Sequence, residues 1–140
     1  MRQFNIESKG ELIRLLLLSD TFDNWKFIRA KLQMENSFDI DGQRLEDDDY
    51  ISWVSIKNIV YTIIRGNKLP NYMKIILKEN EIYTSKDVGY IIDINFKDEL
   101  KVRTGVSYKI FNTDKSEEKN WDDYVNTLFE RYNIKYVVEE

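Results

Sequence analysis

Apolar residues recur at every second position in four stretches of this chain. They are Ile28, Ala30, Leu32 and Met34; Met73, Ile75 and Leu77; Tyr90, Ile92, Ile94 and Phe96; and Leu100 and Val102, resumed by Val106, Tyr108 and Ile110. A strand sends successive side chains to opposite faces, so a period of two predicts strands that are apolar on one face and polar on the other. A sheet built from them has one side to bury and one to leave wet. Phe38 and Ile40 continue the first alternation after a break at 35–37, which predicts a hairpin. Keeping their apolar residues on one face requires an even pairing sum, and a three-residue loop then sets Met34 opposite Phe38 and Lys31 opposite Asp41. A second hairpin about Lys97, Asp98 and Glu99 sets Asp93 opposite Arg103 and Asn95 opposite Lys101, with Gly105 as a bulge. Shorter strands are expected at Gln3 to Ile6, Ile82 to Thr84 and Lys135 to Val138.

Three segments change to helical spacing. Ser8 and Glu11 have the spacing of a capping box before Leu12, Ile13, Leu15, Leu16 and Leu18. Trp53, Ile56, Ile59, Val60, Ile63 and Ile64 form a second apolar stripe, with Gly66 just past its end. Pro70 ends any continuation. Trp121, Tyr124, Val125, Leu128, Phe129 and Tyr132 form a third stripe, capped by Asp114 or Ser116 and stopped by Asn133 in the left-handed region. One Pro, five Gly and no Ser- or Gly-rich run leave no linker in 140 residues, so residues 1–140 are expected to form one domain. The sequence predicts a single α+β domain, a mostly antiparallel sheet of five to seven strands with two or three amphipathic helices on one face. As an alternative, the order of a short strand, a helix, strands, a second helix and more strands resembles that of one domain of a DNA sliding clamp. There the helices would face DNA, whereas Lys9, Arg14, Lys57 and Arg65 are few and scattered, and the third helix departs from the order.

Composition excludes more than it identifies. The chain has no His and no Cys, which removes the commonest proton shuttle, thiolate chemistry and most zinc ligation. No G-x-x-x-x-G-K-[ST], G-x-G-x-x-G or G-x-S-x-G run occurs. Asp39, Asp41, Glu46, Asp47, Asp48 and Asp49 gather oxygens that a hard cation would use, but Gly42 comes fourth after Asp39 and no Glu stands at the twelfth position, so the spacing is not that of an EF-hand. Nothing sets two of these carboxylates apart as acid and base. Thr104 to Ser107 is a small-residue turn that could meet an anion through its amides, and Lys109 is the near candidate base for a serine there. Neither pattern is specific, and no cofactor and no metal is expected. The N-terminus lacks an apolar core of signal-peptide length and no run approaches 18 apolar residues, so a cytoplasmic protein with no membrane span is expected.

Charge is unevenly distributed. Trp25 to Gln33, Asn71 to Lys78 and Leu100 to Phe111 hold eight Lys/Arg and no Asp or Glu, so with −4 overall the rest of the chain carries −12. On the polar side of these strands Arg29, Lys74, Lys78, Lys101 and Lys109 would alternate with Trp25, Phe27 and Tyr72, a candidate binding face. Cations beside flat aromatic rings suit single-stranded nucleic acid, which needs charge for phosphates and π-faces for bases. The competing reading is a solvated face with edge-protecting lysines. The expected function is a non-enzymatic interaction module that binds a protein partner or a second copy through an uncovered sheet edge, with single-stranded nucleic acid on the basic face as the alternative. A second candidate surface is whatever part of Trp121, Tyr124 or Tyr132 the packing of the last helix leaves exposed for a partner.

The run Ser37, Phe38, Asp39, Ile40, Asp41, Gly42, with Thr104, Gly105, Val106, Ser107 and then Asp114, Lys115, Glu118, Lys119, Trp121 and Asp122, resembles a small family of uncharacterised proteins from low-GC bacteria. The similarity covers most of the chain. It implies a bacterial source and lends neither an activity nor a site residue.

Overall fold

The computed structural model describes residues 1–65, 70–80, 88–108 and 116–139. Gly66, the strand expected at 82–84, Lys109, Ile110 and Asp114 lie outside the described residues. The elements run β1 (Gln3–Ile6), α1 (Lys9–Leu17), β2 (Lys26–Gln33), β3 (Ser37–Asp41), α2 (Trp53–Ile64), β4 (Tyr72–Lys78), β5 (Val88–Lys97), β6 (Glu99–Tyr108), α3 (Ser116–Arg131) and β7 (Tyr136–Glu139). All seven strands join one open antiparallel sheet in the order β3-β2-β4-β5-β6-β1-β7. This is the α+β architecture that the two periodicities predict. It holds β1, α1, β2, β3 and α2 in the clamp-like order, but with all strands in a single sheet.

The inward side chains of the strands and the buried stripes of all three helices form one core. Aromatic contacts show how α2 and α3 are seated. The Phe27 and Trp53 rings lie 5.7 Å apart and join β2 to α2, Tyr90 and Trp121 at 5.5 Å join β5 to α3, and Phe4 and Phe129 at 5.1 Å join β1 to α3. The two indoles at the centre are hydrogen-bonded as well as buried, Trp53 Nε1 donating to Leu16 O and Trp121 Nε1 to Ile91 O, each at 2.9 Å. Ser8 stands at the start of α1, but its hydroxyl accepts a hydrogen bond from Lys135 N at 3.0 Å rather than capping the helix. Asn133 adopts φ 57° and ends α3, as its position predicts. Ile59 breaks the expected stripe of α2, being 52% exposed.

The strand registers hold three corrections. The β5–β6 ladder sets Asp93 opposite Arg103 and Asn95 opposite Lys101 as expected, but it runs unbroken through Ile91↔Gly105, so Gly105 is no bulge and Thr104 to Ser107 is strand rather than turn. The β2–β3 hairpin is shifted by two residues, pairing Leu32 with Phe38, Lys31 with Asp39 and Arg29 with Asp41. A two-residue slip leaves every side chain on its own face, so the hydrophobic pattern cannot set it; the turn does, with Met34 N donating to Asn36 O at 3.0 Å. The bulge lies in β2 instead, where the pairing with β4 passes from Phe27↔Leu77 to Arg29↔Ile76. Ile28 is the extra residue. It moves Phe27 out of phase with Arg29 and onto the core side.

Candidate interaction surface: the open face and the two edges of the sheet

The bulge decides the fate of the candidate binding face. Trp25, just before β2, is 3% exposed and Phe27 is fully buried, so both belong to the core and neither offers a stacking surface. Tyr72, Lys74 and Lys78 lie half-buried on the open face of β4, and Lys101 is half-buried on β6. Arg29 is exposed on β2. Trp121 and Tyr124 stack on each other, with Trp121 fully buried, so within the α3 stripe Tyr132 is the strongly exposed ring, at 40%.

Strand register places the open-face side chains in rows. One runs Asp39, Lys31, Lys74, Asn95, Lys101, Asn5, Val137 and the next runs Asp41, Arg29, Ile76, Asp93, Arg103, Gln3, Glu139. Five cations there face four carboxylates, and the pairing is specific. The Arg29 guanidinium grips Asp39 with two hydrogen bonds of 2.9 and 2.6 Å. That bond holds the Asp39 carboxyl below its ordinary range and raises Arg29 further. Lys74 Nζ lies 3.0 Å from Asp93 Oδ2, while Asp93 Oδ1 is buried without a hydrogen bond among the described residues. Arg103 Nε donates to Gln3 Oε1 at 2.8 Å, and Lys101 Nζ lies 3.8 Å from Glu139 and 3.9 Å from Glu99. The acid-free strands are thus balanced by carboxylates from other parts of the chain. Lys26 is balanced in the same way by Asp49 at 3.2 Å, a carboxyl held low first by the Tyr50 backbone N–H and then by Lys26. Among the described residues no group of three or more carboxylates is arranged to hold a metal ion.

The two edges of the sheet differ. In an antiparallel ladder the N–H and C=O of one residue point to the same side, and those of the next residue to the other. Gly42 N donates to Ile28 O at 2.9 Å in the register of the β2–β3 pair, so the even-numbered residues of β3 face β2 and Ser37, Asp39 and Asp41 face outward. Two of these three carry carboxylates, a common protection for an edge. On the other side, Thr104 N donates to Arg2 O at 3.0 Å and Glu7 N donates to Lys135 O at 2.8 Å. Both fit the β6–β1–β7 registers and show that Lys135, Val137 and Glu139 turn their backbone groups toward β1. Among the described residues, the N–H and C=O of Tyr136 and Val138 therefore form the free edge. Tyr136 is anchored by the Phe4 and Phe129 rings at 5.1 and 5.9 Å, and its phenol is pushed up first by burial and then by Glu130. Val137 and Val138 are 54% and 38% exposed.

Sequence alternation predicts a tail strand here without giving it a role. The signal is the Tyr-Val-Val run between Lys135 and Glu139, whose significance depends on which strand it pairs with. A shallow groove of about 290 Å³ runs along α3, lined by Asn120, Asp123, Tyr124, Thr127, Leu128 and Arg131. Among the described residues no helix is long and apolar enough to cross a membrane.

No curated protein and no solved structure matches the chain, so the clamp-like reading rests on element order alone. A family model does match, over residues 15–137, from within α1 into β7. The chain belongs to that family, described as a family of unknown function (DUF5721).

Proposed function

We propose that this protein is a non-enzymatic interaction module that binds protein by adding a strand at the free edge of β7. The observation that carries the reading is the contrast between the two edges: the outward backbone groups of β3 belong to Ser37, Asp39 and Asp41, two of them charged, whereas those of β7, unpaired among the described residues, belong to Tyr136 and Val138 beside exposed Val137. Strand addition draws affinity from main-chain hydrogen bonds and specificity from alternate side chains, and β7 offers both. The absence of His and Cys supports a non-enzymatic role. Two open-face rows holding five cations and four carboxylates, with Trp25 and Phe27 in the core, lend little to the nucleic-acid alternative over Arg29, Lys74, Lys78, Lys101 and Lys109.

The test co-expresses a tagged chain with an untagged copy and compares wild type, Val138→Pro and the α3-groove variant Thr127→Arg. Proline at 138 removes an N–H that faces solvent rather than β1, so the ladder survives. Wild type and Thr127→Arg should retain the same proteins, untagged copy included, and Val138→Pro should lose them. Equal retention by all three refutes the edge.

A further inference from the structure

We infer that the strand received by the β7 edge is β7 of a second copy, related by a two-fold axis through Val137, so that two sheets join into one. The inference rests on the edge reading above and adds its occupant and register. Within β7, Tyr136 and Val138 turn their N–H and C=O outward and Val137 and Glu139 do not, so two copies of β7 hydrogen-bond only where even-numbered residues face each other. This restricts the antiparallel register to an even pairing sum, and side chains choose among the even sums. With Val137 opposite its own copy, Tyr136 faces Val138 of the other chain on both sides of the axis. Each such pair exchanges two backbone hydrogen bonds, four in all.

On the open face the same register sets Lys135 opposite Glu139 of the other copy, twice, flanking the Val137 pair. These positions are non-hydrogen-bonded pairs, where side chains approach most closely. Lys135 is exposed and Glu139 half-exposed on one chain, so both are available. On the helix face Val138 packs beside the Tyr136 ring, a cross-strand aromatic and β-branched pair. Sliding the register by two residues either way sets Val137 opposite Glu139 or Lys135 and breaks both ion pairs. The strand is self-complementary in one register, as an isologous interface requires. Five residues a side, Lys135 to Glu139, make a small contact, so the dimer is expected to be weak and concentration-dependent.

Sedimentation velocity of the full chain, from about 1 μM to about 1 mM, reads the equilibrium over the range a weak dimer occupies. Wild type should pass from monomer to dimer, and Val138→Pro should stay monomeric with its thermal midpoint retained. Lys135→Glu and Glu139→Lys each replace two attractions by two repulsions and should weaken self-association about tenfold. Mixed together they should recover wild-type association as a heterodimer, because every 135–139 pair is then opposite in charge. Lys135→Glu alone keeps the test valid if Glu139→Lys, which also loses Gln3 and Lys101, fails to fold. A wild-type chain that stays monomeric throughout overturns the second copy, while a foreign protein lost on Val138→Pro would keep the edge reading alive. A dimer that survives Val138→Pro overturns both. A dimer lost in Val138→Pro but not restored by mixing overturns the register.

Discussion

Among the described glycines, Gly42 should tolerate alanine least. A Cβ on Gly42 would lie 1.9 Å from Phe27 O, 2.7 Å from Phe27 Cδ2 and 2.8 Å from Phe27 C. Reaching 3.4 Å, the near limit of ordinary contact, needs about 1.5 Å of movement from a backbone carbonyl that cannot rotate away. Three hydrogen bonds fix that spot: Gly42 N to Ile28 O at 2.9 Å, Ile51 N to Gly42 O at 3.0 Å and Phe27 N to Ile51 O at 2.8 Å. A displacement of that size breaks them, at about 1 kcal/mol net each. Phe27 itself is fully buried against Trp53, so retreat also disturbs the core, and overpacking by itself costs about 1–3 kcal/mol. Together these give an expected loss of about 4–6 kcal/mol, or a fall in Tm of roughly 15 °C for a domain of this size. Urea unfolding followed by tryptophan fluorescence measures it, since Trp25 and Trp53 both adjoin the site. Gly105→Ala is the control. Nothing lies within 4 Å of a Cβ there, and a strand glycine replaced by alanine should gain about 0.5 kcal/mol through the unfolded state. If Gly42→Ala lies within about 0.5 kcal/mol of wild type, the close approach that is taken to fix the β2 bulge does not exist.

Three further outcomes follow from named contacts. Thr104→Val should cost about 1–3 kcal/mol, because the buried hydroxyl donates to Asp122 and accepts from Arg2 N at 2.8 Å, and an isosteric methyl removes both bonds. Thr104→Ser, which keeps the hydroxyl, should cost less in the same denaturation assay; equal losses would show that packing alone matters. Asp39 titrates below an unfolded aspartate, so the stability it contributes is present above the unfolded value and is lost as pH falls through the lowered one. A carboxyl NMR titration of Arg29→Gln should return Asp39 toward its ordinary range, and an unchanged value would remove Arg29 as the cause. Labelled single-stranded oligonucleotides should show no salt-sensitive binding at low ionic strength, whereas a steep dependence on salt would restore the nucleic-acid reading.

Local chemistry made much of the fold legible. Alternation at 73–77, 90–96 and 100–102 gave the strands and their core face, since a period of two admits one choice of face. Helical spacing gave α2 and α3, and Asn133 marked the end of α3 by its tolerance of positive φ. Where the reading went astray, the cause was a long-range contact. Phe27 sits one residue from a regular alternation, and nothing nearby in sequence announces that Gly42 and Ile51 will grip the chain there and put an extra residue into β2. The β2–β3 register slipped by two residues because hydrophobicity is blind to even slips, leaving the choice to the turn.

The sequence by itself determined that this chain builds a sheet with one wet face, covers the other with amphipathic helices, and has no His or Cys chemistry. Only the tertiary structure decided what the wet face and its edges are. An acid-free strand looks basic when read alone, because its neighbours in the chain are of its own kind. In the sheet its neighbours are set by pairing, which brings Asp39 to Arg29, Asp93 to Lys74 and Glu139 to Lys101. The free edge has the same origin. Tyr136 to Glu139 pair with β1 near the opposite end of the sequence, and that pairing turns Tyr136 and Val138 outward. Charge and periodicity are local properties, whereas which backbone groups remain unpaired depends on the whole sheet.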